Sequence, residues 1–334
     1  MKTLIRRLVE TYGPSGREGA VRELVQSEVE PFTDQIEISP MGGLHAFRNR
    51  GGKRKVMLAA HMDEIGVVIS HIDAHGFARF QPVGSLQTRI LLGQRVQFAG
   101  DVLGIIGVDL DRSSNRSPTH AEHFIDFGVK AGENCPVSVG DFGVLERAFL
   151  DLGERLVGKA LDDRVGVAIL IETLRQLKDT PHEVQFAFTV QEQVGQRGAL
   201  TSAYALDPDL GIAVDVTATG DTPKGWKLEP SMGEGPAIKV RDRRTLSDPR
   251  IVRLLERRAQ AAAIRYQKEI RRGGGTDAAA IQLSRAGVPV GCLSIPTRYL
   301  HTPSEMVDFG DVQAAVALLL EVLTKPIEFL EGEG

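Results

Sequence analysis

The chain has 334 residues, of which 42% are hydrophobic and 25% charged, and a formal net charge of −4. That length predicts two domains of ordinary globular composition, and the mild acidity excludes nucleic acid as the main partner. No apolar run is long enough to span a bilayer, so no membrane is expected either.

The N-terminus, MKTLIRRLVETYG, carries apolar residues at helical spacing broken by charges, with no signal-peptide core. Cys135 and Cys292 are far apart and read as reduced, small buried hydrophobes, which fits a cytoplasmic location. Leu4, Ile5, Leu8 and Val9 mark one helix; Val21, Leu24, Val25 and Val29 mark the next. Between them Gly13-Pro14-Ser15-Gly16 is a turn, with Ser15 a candidate N-cap of the second helix. Strands follow at IEIS, GLHAFRN and KVMLAAH.

From about Gly66 to Leu156 only short β-like runs occur, punctuated by Gly and Asp at the spacing of a small barrel or sandwich. After Asp163 the α/β texture returns. It comprises a helix through VGVAILIETLRQL, the strand VQFAFTV, a helix opening near Arg197 and the strand GIAVDV. Helices at PRIVRLLERRAQ and DAAAIQLSR, the strand VPVGCLSI and a helix from Asp311 to Leu323 close the chain. The order predicts a discontinuous α/β domain, residues 1–66 plus 157–334, interrupted by a β-rich domain at 67–156. The arginines between Arg241 and Arg272 read as a solvated helix face.

Candidate chemistry gathers where predicted strands stop: His61 and Asp63, Asp162 and Asp163, Glu192 and Gln193, Asp215, and His301. Open α/β sheets place ligands beyond the carboxyl ends of their strands, and carboxylates and imidazoles are ligands that divalent transition metals accept. Alternating side chains put His61 and Asp63 on one side, where the carboxylate would orient the imidazole. Two consecutive aspartates cannot both cap one helix, so one of Asp162 and Asp163 is free to bridge metals. Glu192 suits a general base beside metal-held water. Asp215 ends a buried strand, where a charge needs a partner. Each feature alone also has a bland reading, as a cap, an exposed strand end or a structural loop; together they favour a metal site.

The segments HMDEIGVVI, GKALDDRVG, TVQEQVGQRGA, AVDVTATGD, GEGPAI, GGGTDAAAI and PTRYLHTPSE, in that order between about Leu4 and Leu323, resemble the M42 family of metallo-aminopeptidases. That family includes tetrahedral, dodecameric aminopeptidases and relatives once named endoglucanases. The resemblance implies a mixed-sheet α/β peptidase domain holding two metals, with an inserted small β-barrel-like domain used in dimer contacts. It implies a hydrolase that removes N-terminal residues from short peptides by attack of a metal-bridging water. His61 and Asp215 would bind one of two divalent ions, zinc or cobalt, and Asp162 would bridge both. His301 and position 193 would hold the second, Asp63 would orient His61, and Glu192 would act as general base. Homo-oligomers are implied, as dimers or a dodecamer.

The departure is Gln193, where the family pattern has a ligand Glu. A neutral amide oxygen in place of a carboxylate predicts a weakened second metal site. It keeps open an alternative: a catalytically impaired homologue serving as a peptide-binding or assembly protein. A glycosidase would need a free acid–base pair that these carboxylates do not leave.

Overall fold

The computed structural model describes residues 1–109, 116–130, 133–225 and 227–328. Its main element is an 11-stranded mixed sheet. The four strands at its centre, Glu183–Thr189, Lys55–His61, Leu210–Ala218 and Val290–Arg298, run parallel. They read as almost continuous apolar runs because both faces are covered. Along Lys55–His61 the two-residue side-chain period splits the strand between two cores. Val56, Leu58 and Ala60 face the larger core, with the helices Leu161–Gln176 and Phe309–Leu323. Met57 and Ala59 face a smaller one with Ala199, Ala203, Ala278 and Ile281. The alanines of that second face let the short helices Arg197–Leu206 and Asp277–Gln282 approach closely.

On one side the sheet continues antiparallel through Leu44–Arg48 and Gln35–Ile38; on the other through Glu305–Asp308, Arg155–Gly158 and Leu150–Asp151. Ala237–Arg241 pairs antiparallel with Val290–Arg298 and parallel with Gln267–Ile270. Six strands between Gly66 and Leu145 pair with one another instead and close into an antiparallel barrel. Val67, Ile69, Phe80, Val96, Phe98, Ile106 and Ile125 fill it. The fold class is therefore α/β with a mixed sheet and a small closed barrel, as the texture of the sequence predicts.

Several local expectations need correction. Ser15 does not cap the second helix, Gly19–Val29, whose N-cap is Glu18; its hydroxyl donates instead to Asp63. Asp215 lies inside its strand, which runs on to Ala218. Of the arginines between 241 and 272, only those of Pro249–Ala261 belong to a helix; Arg243, Arg244 and Arg271 line a cavity. Cys292 is buried, but Cys135 is half-buried. Among the described residues no helix is long and apolar enough to cross a membrane.

Candidate metal centre

Parallel pairing brings the carboxyl ends of the central strands to one edge. Thr189 pairs with His61, and Ala213 pairs with Ala59, so Asp215, two residues further on, stands beside His61. Beyond Thr189 the chain turns through Gln191, which has a positive φ, and delivers Glu192 and Gln193. A helix begins soon after, and its Gly198 is required there. A Cβ at this position would lie 2.5 Å from the Val190 carbonyl oxygen. Asp162 and Asp163 open Leu161–Gln176 in non-helical conformations and are joined by a cis peptide bond. Asp163 accepts from the backbone N–H of Gly166 and of His61, both at 3.2 Å, so it serves the helix start while Asp162 is left for the site.

The two carboxylate oxygens of Asp162 are shared between different partners. Oδ1 lies 3.0 Å from His61 Nε2. Oδ2 lies 3.2 Å from His301 Nε2 and accepts from the Gln193 amide at 3.1 Å. On the first side, ligand atoms of His61, Asp162 and Asp215, all buried, lie within 4.8 Å of one another, a spacing that fits one metal ion. His61 Nδ1 donates to the Asp63 carbonyl oxygen at 2.9 Å, which leaves Nε2 of the neutral ring free to ligate. Glu192 is a further 3.8 Å from Nε2. All of these except His61 and Asp63 line a cavity of about 550 Å³.

Buried carboxylates crowd this edge, and their protonation reflects it. Burial, then the charge of Asp162, pushes the Asp215 carboxyl up to about 8. Burial also raises Glu192 well above the usual range; His61 opposes this and Asp215 adds to it. For Asp162 burial acts the same way, but hydrogen bonds from His301 and His61 outweigh it and hold the carboxyl low. Burial disfavours charge on His61, yet Asp162 and Asp63 together raise it well above its usual value. Without a metal, these neighbours favour positive charge on the His61 ring. A divalent cation would offset the same carboxylates more effectively, and the donor set, imidazole plus carboxylate oxygens, suits one.

Residues 42–318 match the family model described as M42 glutamyl aminopeptidase. The lysyl aminopeptidase of Pyrococcus furiosus is 33% identical over 98% of this chain and 98% of its own length. The chain belongs to the M42 family. An M42-like fold recurs in the aminopeptidase structure from the archaeon Desulfurococcus kamchatkensis, with TM-score 0.94 and 37% identity, covering 99% of this chain and 97% of that one. The Pyrococcus horikoshii TET1 peptidase, which can assemble into a tetrahedron or a large octahedral shell, gives 0.86 and 30%, covering 97% and 99%.

In this M42 protein the structure draws together all eight residues singled out in the sequence, and it adds others. Asp63 does more than face His61. Its carboxylate accepts the backbone N–H groups of Glu192 and Gln193 at 2.9 and 3.1 Å and the Ser15 hydroxyl at 2.5 Å. Buried Glu305 accepts the backbone N–H of Asp162 at 2.9 Å and of His301 at 2.8 Å, tying the two halves of the centre together. Gln196 donates to the Glu192 carboxylate at 3.2 Å. Asp277 takes the Thr189 hydroxyl behind the strand end. Sequence reasoning assigned Glu305, Gln196 and Asp277 no role. The only available signal was that all three lie inside family-like segments.

Proposed function

We propose that this chain is a metal-dependent aminopeptidase that removes N-terminal residues from short peptides, with zinc or cobalt as its ions and the cytoplasm as its location. The supporting observation is the shared Asp162 carboxylate, one oxygen toward His61 and the other toward His301 and Gln193, at the floor of a cavity that also presents Glu192. In this reading His61, Asp162 and Asp215 hold one ion, and Asp162, His301 and Gln193 the other, less tightly. Two divalent cations, when bound, would polarise the scissile carbonyl and make water a better nucleophile at neutral pH.

The chain's own groups supply the rest. Glu192, displaced upward in its proton affinity and open to the cavity, takes the proton of the attacking water and returns it to the leaving amine. Asp63 positions Glu192 by accepting its backbone N–H, and holds His61 in the ligating tautomer together with its own carbonyl. We assign residues 1–66 plus 157–334 to the peptidase unit and 67–156 to the inserted one, with the barrel carrying subunit contacts in dimers or larger shells. Leu92, Leu103, Ile105 and Val139, all exposed on the barrel segment, support that assignment.

The test is release of the first residue from aminoacyl p-nitroanilides and short peptides by protein stripped of metal and then reloaded with zinc or cobalt. Hydrolysis that returns with metal is the expected result. No hydrolysis with both sites filled would overturn the reading in favour of a non-catalytic peptide-binding protein.

A further inference from the structure

The cavity is lined not only by the carboxylates but also by three arginines, Arg243, Arg244 and Arg271. They come from two loops that the parallel pairing of Ala237–Arg241 with Gln267–Ile270 sets side by side. In the first loop, buried Asp242 accepts the backbone N–H groups of Arg244 and Thr245 at 2.8 and 2.7 Å, a tight turn that fixes the two arginines at its tip. In the second, the backbone N–H of Arg271 donates to the Arg241 carbonyl at 2.9 Å and anchors the loop start.

None of the three has a carboxylate partner among the described residues. Arg244 is held by one hydrogen bond, Nη1 to Gln196 Oε1 at 3.2 Å, which leaves its remaining N–H groups available. The close fit depends on Gly275. A Cβ there would lie 2.8 Å from the Arg244 side chain and 2.8 Å from the Gln196 amide, so even alanine would push the pair apart. A guanidinium group with no paired carboxylate favours an anion beside it. A short peptide is itself dipolar, with an ammonium suited to the acidic floor and a carboxylate suited to these arginines.

We propose that Arg243, Arg244 and Arg271 form a carboxylate-binding subsite for the peptide substrate. This rests on the aminopeptidase reading and extends it to substrate class. The carboxylate has two sources, the side chain of an acidic residue at the N-terminus or the free C-terminus of a di- or tripeptide. Guanidinium–carboxylate pairing is bidentate and directional, so the neutral counterpart loses on the order of tenfold or more in affinity.

The metal-loaded enzyme is assayed on two substrate pairs: glutamate against leucine p-nitroanilide, and Leu-Ala against its C-terminal amide. The expected result is a preference of at least about tenfold in kcat/KM for the carboxylate member of one pair, carried mainly by KM. The first pair assigns a side-chain carboxylate and the second a terminal one. Arg271→Met and Arg244→Met should bring that ratio toward one, and Arg271→Lys should restore part of it, with metal content and melting temperature checking that each variant folds. A ratio near one in both pairs for the natural protein, or a ratio unchanged by both methionine variants, overturns the proposal. If the loaded enzyme cleaves no substrate, the aminopeptidase reading has failed and calorimetry decides the subsite separately. Glutamate binding about tenfold tighter than glutamine, or Leu-Ala about tenfold tighter than its C-terminal amide, with the preference weakened by Arg271→Met, supports it; equal binding within both pairs overturns it.

Discussion

Gln193 faces Asp162 with an amide where a carboxylate would bring negative charge to the proposed metal pair. Two divalent ions, if bound as proposed, would then be offset by two carboxylates, Asp162 and Asp215, rather than three. An amide oxygen is a poorer donor to a borderline cation than a charged one. Metal titrated into stripped protein should fill the His61–Asp215 side first and leave the His301 side partly exchangeable. Gln193→Glu should tighten the second event; two equally tight events in both proteins would show that the amide costs nothing. Glu192→Gln probes a different role. Turnover should fall by at least about a hundredfold, the scale of general-base catalysis, while metal content stays at the wild-type level. Loss of metal with activity would mean that Glu192 is a ligand. The residues whose side chains meet in the centre were legible from sequence because they fall near strand ends or a helix start, in segments that follow a recognisable order. Ser15 and Glu305 were not, because each acts on a segment far away in the chain, through the Asp63 carboxylate or through backbone N–H groups.

The helix Leu161–Gln176 carries a second buried polar cluster behind the centre. Arg164 is fully buried, donating to the carbonyls of Met62, Leu8, Thr11 and Gly13, and sits 3.4 Å from Glu64, which Lys159 also contacts at 2.6 Å. It joins the N-terminal helix, the loop after His61 and the helix that begins with the metal-side aspartates. Arg164→Met strands four carbonyls and part of the Glu64 charge, so it should destabilise by about 3–5 kcal/mol. Denaturant melts of the metal-loaded protein measure this, and a loss below about 1 kcal/mol would show that water replaces the guanidinium at little cost. At this scale the long apolar strands and amphipathic helices were readable from periodicity, whereas Ala237–Arg241 and Gln267–Ile270 were not. Their sequences, AIKVR and QKEI, look polar because Lys239 and Glu269 form a buried ion pair inside the sheet. That pairing exists only once the two strands lie side by side.

For the whole molecule, the centre is assembled from segments between His61 and His301 that no local pattern links, and the parallel register of four strands brings them to one edge. Crowding acid groups there makes the stability of the metal-free protein depend on pH. Asp215 titrates near 8 when folded, against about 4 when unfolded. A raised folded value means its contribution is present below about pH 4 and lost as pH rises through 8. Glu192 and Asp163 are displaced the same way, by burial first with neighbouring carboxylates adding to it against the opposing charge of His61, and act in the same direction. His61, also raised, loses its contribution as it deprotonates, while Asp162, held low, keeps its own across this range. The stripped protein should therefore become less stable between pH 5 and pH 8. Bound metal takes the place of those protons, so loading should release protons and remove the loss. Melting temperatures of loaded and chelator-stripped protein at the two pH values test this, with calorimetry in buffers of different ionisation enthalpy counting the protons. The gap between the two forms should widen from pH 5 to pH 8. An equal gap, with no proton release, would mean that the carboxylates are already ionised in the metal-free fold and that the cluster is stabilised by something other than shared protons.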